Sequence, residues 1–326
     1  MKKFINHPDH LTTELLEGLC AAFPKHLKLM KEKLVCRAED KARDKVAVMS
    51  MGGSGHEPLE GFVGPGWLDC FVSGDIFAAP GPQTVLEAMR LLKRDAGVLL
   101  VTLNHAGDVL SANMAKQMAA MEGIKVKEIL TREEIRPTEG EEGRGLGGCV
   151  LLYKIVGAAA EKGWSLDEVC RVGEKFNNQM AAIAVLSEVA THPATGGQCG
   201  EMGEKEMEIC AGQHGEGGGV RMGMMSAKNT AELLAGKVIA KLGLKAGDEI
   251  VLAINGSGKA TLMELFITFN DAKKFFESCK IHVVGSHVGE MLTVQEAGGY
   301  QMLVAKMDAE LKALWDAPSR TPFFCS

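Results

Sequence analysis

Gly97-Val98-Leu99-Leu100-Val101-Thr102-Leu103, running into Asn104-His105-Ala106-Gly107-Asp108, is the stretch that decides the fold. An uncharged, β-branched and leucine-rich run of this length reads as a strand buried on both faces. Residues Val109 to Met121 follow with helical spacing, Gly123 stops them, and Ile124 to Leu130 returns as a strand. The pattern is a βαβ unit, whose crossover is right-handed. Ligands of open α/β sheets gather outside the carboxyl ends of strands. The polar turn at 104–108 sits at such an end.

Upstream, Val46-Ala47-Val48-Met49 reads as a second buried strand that enters a glycine loop, Gly52-Gly53-Ser54-Gly55. Before it, Leu15, Leu16, Leu19, Cys20 and Phe23 form the apolar stripe of a first helix. Thr12 or Thr13 is its expected cap and Pro24 its end. Downstream, Ser165-Leu166-Asp167-Glu168 has capping-box spacing, which starts a helix that runs towards Asn177. Pro193 to Gly203 is glycine-rich, and a domain boundary is expected just before it, near Leu186. The expected architecture is α/β throughout: one α/β domain over residues 1–186 and a second over 187–326. In the second, a strand at 206–209 precedes the loop Gly212-Gln213-His214-Gly215-Glu216-Gly217-Gly218-Gly219. A helix ending at Gly243, a strand at 249–255, a helix at 260–278 and a strand at 280–286 follow.

The chain has 326 residues, of which 46% are hydrophobic and 24% charged. This length suits two domains and this composition a globular chain. The net charge of −6 and the lack of a dense Lys/Arg run argue against a nucleic-acid partner. Met1-Lys2-Lys3-Phe4-Ile5-Asn6-His7-Pro8 lacks the apolar region of a secretory leader. No apolar run reaches the roughly 20 residues of a membrane span. Nine scattered cysteines, odd in number and without a CxxC pair, point to a reduced, cytoplasmic chain. They also lack zinc-ligand spacing, so no metal site is expected.

Three motifs carry chemistry. Gly52-Gly53-Ser54-Gly55-His56-Glu57-Pro58 places backbone N–H groups and a histidine at a strand end. On the glycines alone a tight turn and a ligand site balance; His56-Glu57 tips the reading to a site. Asp108 could take a proton or hold a hydroxyl, but taken alone it reads as the cap of the next helix. His214, among glycines, has no neighbours to crowd its approach to a ligand, and its neutral ring suits a nucleophile or a base. A surface loop is the competing reading there. Asn255-Gly256-Ser257-Gly258-Lys259-Ala260-Thr261 mimics a phosphate loop. It lacks the first Walker glycine, and Ala260 stands where the magnesium-binding hydroxyl belongs.

In this order, GGSGHEP (52–58), Gly107-Asp108, Asn177-Asn178-Gln179, GQHGE (212–216) and Leu314-Trp315-Asp316-Ala317-Pro318 resemble the sugar-binding subunit of dihydroxyacetone kinase. The resemblance runs from near Met1 to near Pro322. It implies two α/β domains, a homodimer, and a ketose held as a hemiaminal on a histidine ring nitrogen, which by motif is His214. It also implies substrate binding by Gly53, Ser54, Gly55, His56 and Asp108, with His56 and Asp108 as the acid/base pair for the hydroxyl that is phosphorylated. No cofactor is implied on this chain. ATP or ADP with magnesium is expected on a separate nucleotide-binding partner subunit, which draws its phosphoryl group from ATP or from a phosphotransferase-system protein.

The chain departs from the family pattern at Leu103, where a substrate-contacting lysine is usual, at Met51, where a third glycine is usual, and at Gly217, where a proline is usual. Leu103 is therefore a candidate pocket residue that alters the choice of ketose. Two alternatives stand beside the dihydroxyacetone reading: a kinase subunit for a four-carbon ketose, and a ketose-sensing coactivator without enzymatic activity. An NAD-dependent oxidoreductase is excluded by the missing dinucleotide fingerprint.

Overall fold

The computed structural model describes residues 3–138, 140–212 and 219–325. In chain order its elements are α1 (Leu11–Ala22), β1 (Leu27–Met30), β2 (Leu34–Arg37), β3 (Ala47–Ser54), β4 (Cys70–Ile76), α2 (Pro82–Leu91), β5 (Val98–Leu103), α3 (Ala106–Met121), β6 (Val126–Thr131), α4 (Gly148–Glu161), α5 (Leu166–Asn178), β7 (Met180–Glu188), β8 (Glu206–Ile209), β9 (Val220–Gly223), α6 (Ala227–Leu242), β10 (Glu249–Gly256), α7 (Leu262–Ser278), β11 (His282–Gly289), β12 (Gly298–Met307) and α8 (Ala309–Trp315).

The chain forms two α/β units, but they are not consecutive halves. One comprises Met1–Thr131, Cys149–Lys175 and Leu311–Ser326; the other comprises Arg132–Gly148 and Phe176–Glu310. The boundary expected at Leu186 falls inside β7, in the middle of a sheet. Local composition marks loops, and the glycines after residue 193 mark one. Which unit a helix joins depends on non-local packing, which composition does not record.

The first unit holds a six-stranded sheet in the order β1-β2-β4-β3-β5-β6. Strands β4, β3, β5 and β6 are parallel, and the β1–β2 hairpin adds antiparallel to β4. Strand alternation divides the faces. Met49 and Met51 of β3, with Cys36, Cys70, Val72, Val98 and Leu100, join Val85, Met89, Ala112 and Ala115 of α2 and α3 in one core. Ser50, pointing the other way, meets Tyr153 of α4, with 2.7 Å between the hydroxyls, and donates to the Val101 carbonyl at 2.8 Å. The sheet is thus covered on both faces, as uncharged parallel strands require. Met51, the first departure from the family pattern, is fully buried core. The C-terminal segment returns to this unit: the buried Lys154 of α4 donates to the carbonyls of Leu314 and Ala317.

The second unit holds a sheet in the order β11-β10-β12-β7-β8-β9, antiparallel except for β10–β11. Ile183, Val185, Ile250, Leu252, Ile254, Met302 and Val304 pack beneath Ala231, Leu234, Val238 of α6 and Leu265, Ala272, Phe276 of α7. The expected strands at 206–209 and 249–255 and the α6 and α7 helices are present, with ends shifted by a few residues.

Helix caps show where sequence reading held. Ser165 and Glu168 form the expected reciprocal cap on α5, with Ser165 N–H donating to Glu168 Oε2 at 3.1 Å and Glu168 N–H to Ser165 Oγ at 3.3 Å. Neither Thr12 nor Thr13 caps the first helix. A 3-10 turn at Pro8–His10 leads directly into α1, so both threonines lie inside it and His10 takes the cap position. No helix among the described residues is long and apolar enough to cross a membrane.

Candidate active site

The sequence-selected groups of the first unit lie at or just beyond the carboxyl ends of two neighbouring strands. β3 and β5 are parallel neighbours in the register Ala47↔Val98 to Ser50↔Val101, so the segments leaving their carboxyl ends emerge side by side. The first carries Gly53, Ser54, Gly55 and His56; the second carries Leu103 and Asp108. Gly52, Gly53 and Ser54 are still strand, so the glycine loop begins later than the sequence suggested. Ser54 Oγ donates to the Gly74 carbonyl at 2.9 Å, which ties β3 to the end of β4.

That junction explains two glycines. A Cβ on Gly53 would lie 2.8 Å from Ala78 N, and one on Gly74 would lie 1.9 Å from Ala78 O. Both contacts are with backbone, so no rotamer change relieves them. The loop after β4 therefore presses against β3 and brings Phe77 to His56, with ring centroids 5.3 Å apart. Phe77 holds φ +56°, a costly value for a bulky residue. This cost is tolerated where it aims a ring at a histidine. Sequence reading missed Phe77, because only the β3–β4 pairing makes it a neighbour of His56.

Asp108 is 9% exposed and His56 5% exposed. Asp108 lies within the first turn of α3, whose cap position is His105. The helix begins at Ala106 and not near Val109, so Asp108 is not the cap that its position after a strand suggested. Leu103 closes β5 and is 5% exposed. It offers no charge at the end of the strand where a lysine is usual. His214 lies outside the described residues.

Two carboxylates follow His56 in the chain. Glu57 Oε1 accepts from Gly55 N–H at 2.7 Å and shapes the loop; burial pushes its carboxyl up. Glu60 is 1% exposed, and neither oxygen has a hydrogen-bond partner. Burial, and then the charge of Glu57, pushes its carboxyl well above the usual range. The folded state therefore keeps a proton that the unfolded chain releases above roughly pH 4.3. This contribution to stability is complete in acid and is lost as pH rises towards the folded value. Glu60→Gln, of the same shape but unable to ionise, is expected to gain about 1–3 kcal/mol over wild type at pH 8 and nothing at pH 4. Urea unfolding at the two pH values tests this, and parallel curves for the two proteins would contradict it.

The remaining motif reads as structure. Asn255 Oδ1 accepts from the Met291 and Leu292 N–H groups at 2.8 and 3.1 Å. Lys259 pairs with Glu188, and Thr261 with Glu264 caps α7. The phosphate-loop mimic is thus occupied in holding its own unit together. A separate cleft of about 470 Å³ in the second unit is lined by Met207, Met224, Ile267, Thr268 and Tyr300 among others. Its lining includes Glu188, Lys259, Ala260, Thr261 and Glu264 of the motif just described, but none of Gly53, Ser54, Gly55, His56, Leu103 and Asp108, so the strand-end loops of the first unit are the better candidate. No cluster of metal-ligating side chains occurs among the described residues.

The Dak1 domain model matches residues 17–323. The chain is 34% identical over 316 residues to the dihydroxyacetone-binding subunit DhaK of PTS-dependent dihydroxyacetone kinase 1 from Listeria innocua serovar 6a, covering 95% of each chain. It is 32% identical to D-erythrulose kinase of Mycolicibacterium smegmatis, covering 99% of this chain but 56% of that enzyme. Among solved structures, the dihydroxyacetone kinase operon co-activator Dha-DhaQ superposes with a TM-score of 0.90 at 27% identity, over 94% of this chain and 96% of the other.

Proposed function

The chain belongs to the Dak1 domain family, and from that premise we propose that it is the ketose-binding subunit of a dihydroxyacetone-type kinase. The observation that carries the reading is the pairing of β3 with β5. It sets the GGSGHEP segment beside the Asp108 turn in a chain that matches a dihydroxyacetone-binding subunit over 95% of both lengths.

A small polyol buries little apolar surface, so its affinity must come from hydrogen bonds and, here, from a reversible covalent bond. The unprotonated ring nitrogen of His214 adds to the ketone carbon. The carbonyl oxygen becomes a hydroxyl and takes the proton given up by the ring. The developing oxyanion needs N–H or O–H donors; the Ser54 hydroxyl and the Gly55 N–H of the glycine segment can serve once they exchange Gly74 O and Glu57 Oε1 for it. Anchoring the carbonyl carbon orients the terminal hydroxyl. His56 and Asp108 then accept its proton as it attacks the phosphoryl group. The donor nucleotide, with its magnesium, is carried by a partner subunit, the chain works as a homodimer, and the setting is cytoplasmic.

Two observations bear on the substrate. Leu103 removes the charge usual at that position, and the erythrulose kinase is nearly as similar as the dihydroxyacetone-binding subunits. A four-carbon ketose is therefore a specific second reading. The likeness to the co-activator supports a ketose sensor as a third. The retained His56–Asp108 pair favours the enzyme, since a sensor needs the covalent histidine but no acid/base pair.

Calorimetric titration of a C3–C4 ketose panel, dihydroxyacetone included, into wild type and His214→Ala tests the proposal. One ketose is expected to bind the wild type, with the heat lost in the variant. No binding by any ketose, or equal binding by both proteins, would overturn it.

A further inference from the structure

The first unit holds a pair of thiols that the proposed chemistry does not use. Cys36 of β2 and Cys70 of β4 face each other directly across an antiparallel pair, with 3.4 Å between their sulfurs. Their place in the ladder follows from the hydrogen bonds on either side. Arg37 N–H donates to Asp69 O at 3.0 Å and Ser73 N–H to Lys33 O at 2.9 Å. Arg37/Asp69, Val35/Phe71 and Lys33/Ser73 are therefore the hydrogen-bonded pairs, and Cys36/Cys70 is a non-hydrogen-bonded pair. At such sites the Cα atoms approach to about 4.5 Å and the side chains are closest. That separation falls inside the range of about 4.4–6.8 Å that a disulfide spans. Both sulfurs lie in the core under α2 and α3, at 3% and 0% exposure. No change of backbone register is needed to join them.

The geometry points to Cys36–Cys70 as an oxidisable dithiol, a modification site that takes a hydroperoxide-class oxidant and closes to an intrachain disulfide stapling the β1–β2 hairpin to the parallel sheet. The Cys36 thiolate attacks one peroxide oxygen, the O–O bond breaks, and the departing oxygen takes up a proton to leave as water or an alcohol. Cys36 is then a sulfenic acid. The Cys70 thiol gives up its proton and its sulfur attacks the Cys36 sulfur, expelling the hydroxyl as water. Two thiols and one hydroperoxide give one disulfide, one alcohol or water, and one further water. The hydrogen bond with the Cys36 sulfur, and then burial, push the Cys70 thiol up, and an oxidant reaches the buried pair when the hairpin opens at the sheet edge.

A third thiol makes the pairing testable. Cys20 of α1 lies near Cys36, and its own thiol is raised to about 11 by burial and by Cys36. The cross-strand geometry nevertheless selects Cys70. The bond would close a loop between residues 34 apart in sequence. It joins β2 to the strand whose far end buttresses the glycine loop, so it restrains the sheet without entering the site.

The full chain is treated with hydrogen peroxide, free thiols are alkylated under denaturing conditions, and non-reduced digests are mapped by mass spectrometry. The expected product is a peptide pair joined at Cys36 and Cys70, with a thermal midpoint raised by roughly 5–15 °C and restored by dithiothreitol. Cys36→Ala and Cys70→Ala should each abolish the shift, and Cys325→Ser should keep it. A Cys20–Cys36 link, or an oxidised protein in which Cys36 and Cys70 both remain alkylatable, would overturn the assignment. The wild-type map decides even where a core variant folds poorly.

Discussion

Asp69→Ala is expected to cost about 3–5 kcal/mol of stability, the loss typical of breaking a buried ion pair from one side. Asp69 is 1% exposed. Its Oδ1 accepts from Arg37 Nη1 at 3.2 Å, and its Oδ2 from Lys41 Nζ at 2.7 Å and from Val48 N–H at 2.8 Å. The Lys41 side chain has no solvent exposure and that of Arg37 has 5%. Removing the carboxylate leaves two buried cations with Glu161 as their remaining anion. Glu161 lies 3.0 Å from Arg37 and 3.8 Å from Lys41 and is partly open to solvent. Burial would raise its carboxyl, yet Lys41 and Arg37 hold it below its ordinary value, and it is shared with Lys45 at 3.8 Å and the Gly66 N–H at 3.3 Å. The lost bond to Val48 N–H also loosens the start of β3, the strand that delivers Gly53 to His56. Urea unfolding should show a midpoint shift with little change in slope. Lys41→Met added to Asp69→Ala should recover part of the loss, because it withdraws one of the uncompensated charges. A single variant within about 1 kcal/mol of wild type would show that water reaches the cluster and that the pairing is worth no more than a surface bridge.

The same cluster shows what could be read from the sequence. Val46–Met49, Val98–Leu103 and the helix after them are legible because hydrophobic period and turn residues are local properties. The Ser165–Glu168 cap and the strand at 206–209 are legible for the same reason. Asp69 is not legible, since nothing within ten residues announces that Arg37 and Lys41 will meet it. Strand β4 also escaped, because Cys70-Phe71-Val72-Ser73-Gly74-Asp75-Ile76 lacks both clean alternation and an uninterrupted apolar run. With β4 went Phe77 and the close approach of Ala78 to Gly53, both consequences of β4 pairing with β3. Strand β12 begins with two glycines, which locally read as loop. The motifs placed His56 and Asp108 at strand ends correctly, but the packing that fixes His56 came from a strand that was not seen. The interleaving of the two units was invisible for a related reason. Helix α4 shows apolar pattern without naming the sheet it covers, and Ser50 meeting Tyr153 is a contact across 103 residues.

His56→Asn should lower turnover by about 10²–10⁴-fold, measured with a nucleotide-binding partner and its phosphoryl donor supplied, while ketose affinity changes little. The asymmetry follows from the proposed division of labour. If His214 supplies the covalent anchor, His56 matters once the terminal hydroxyl must lose its proton, and an interaction made at that moment lowers kcat without raising KM. Asparagine keeps a polar planar group against Phe77, so a fall in turnover reflects lost proton transfer more than a collapsed pocket. Asp108→Asn should fall in the same range. If the two residues serve one proton, the double variant should be little worse than either single one. A further test separates the enzyme from the sensor. In a sensor, His56→Asn would leave ketose binding and partner recruitment intact, and wild type would show no turnover to lose. Full turnover in His56→Asn would instead move the proton transfer to Asp108 alone, and the aromatic contact at His56 would then serve to hold the loop in shape.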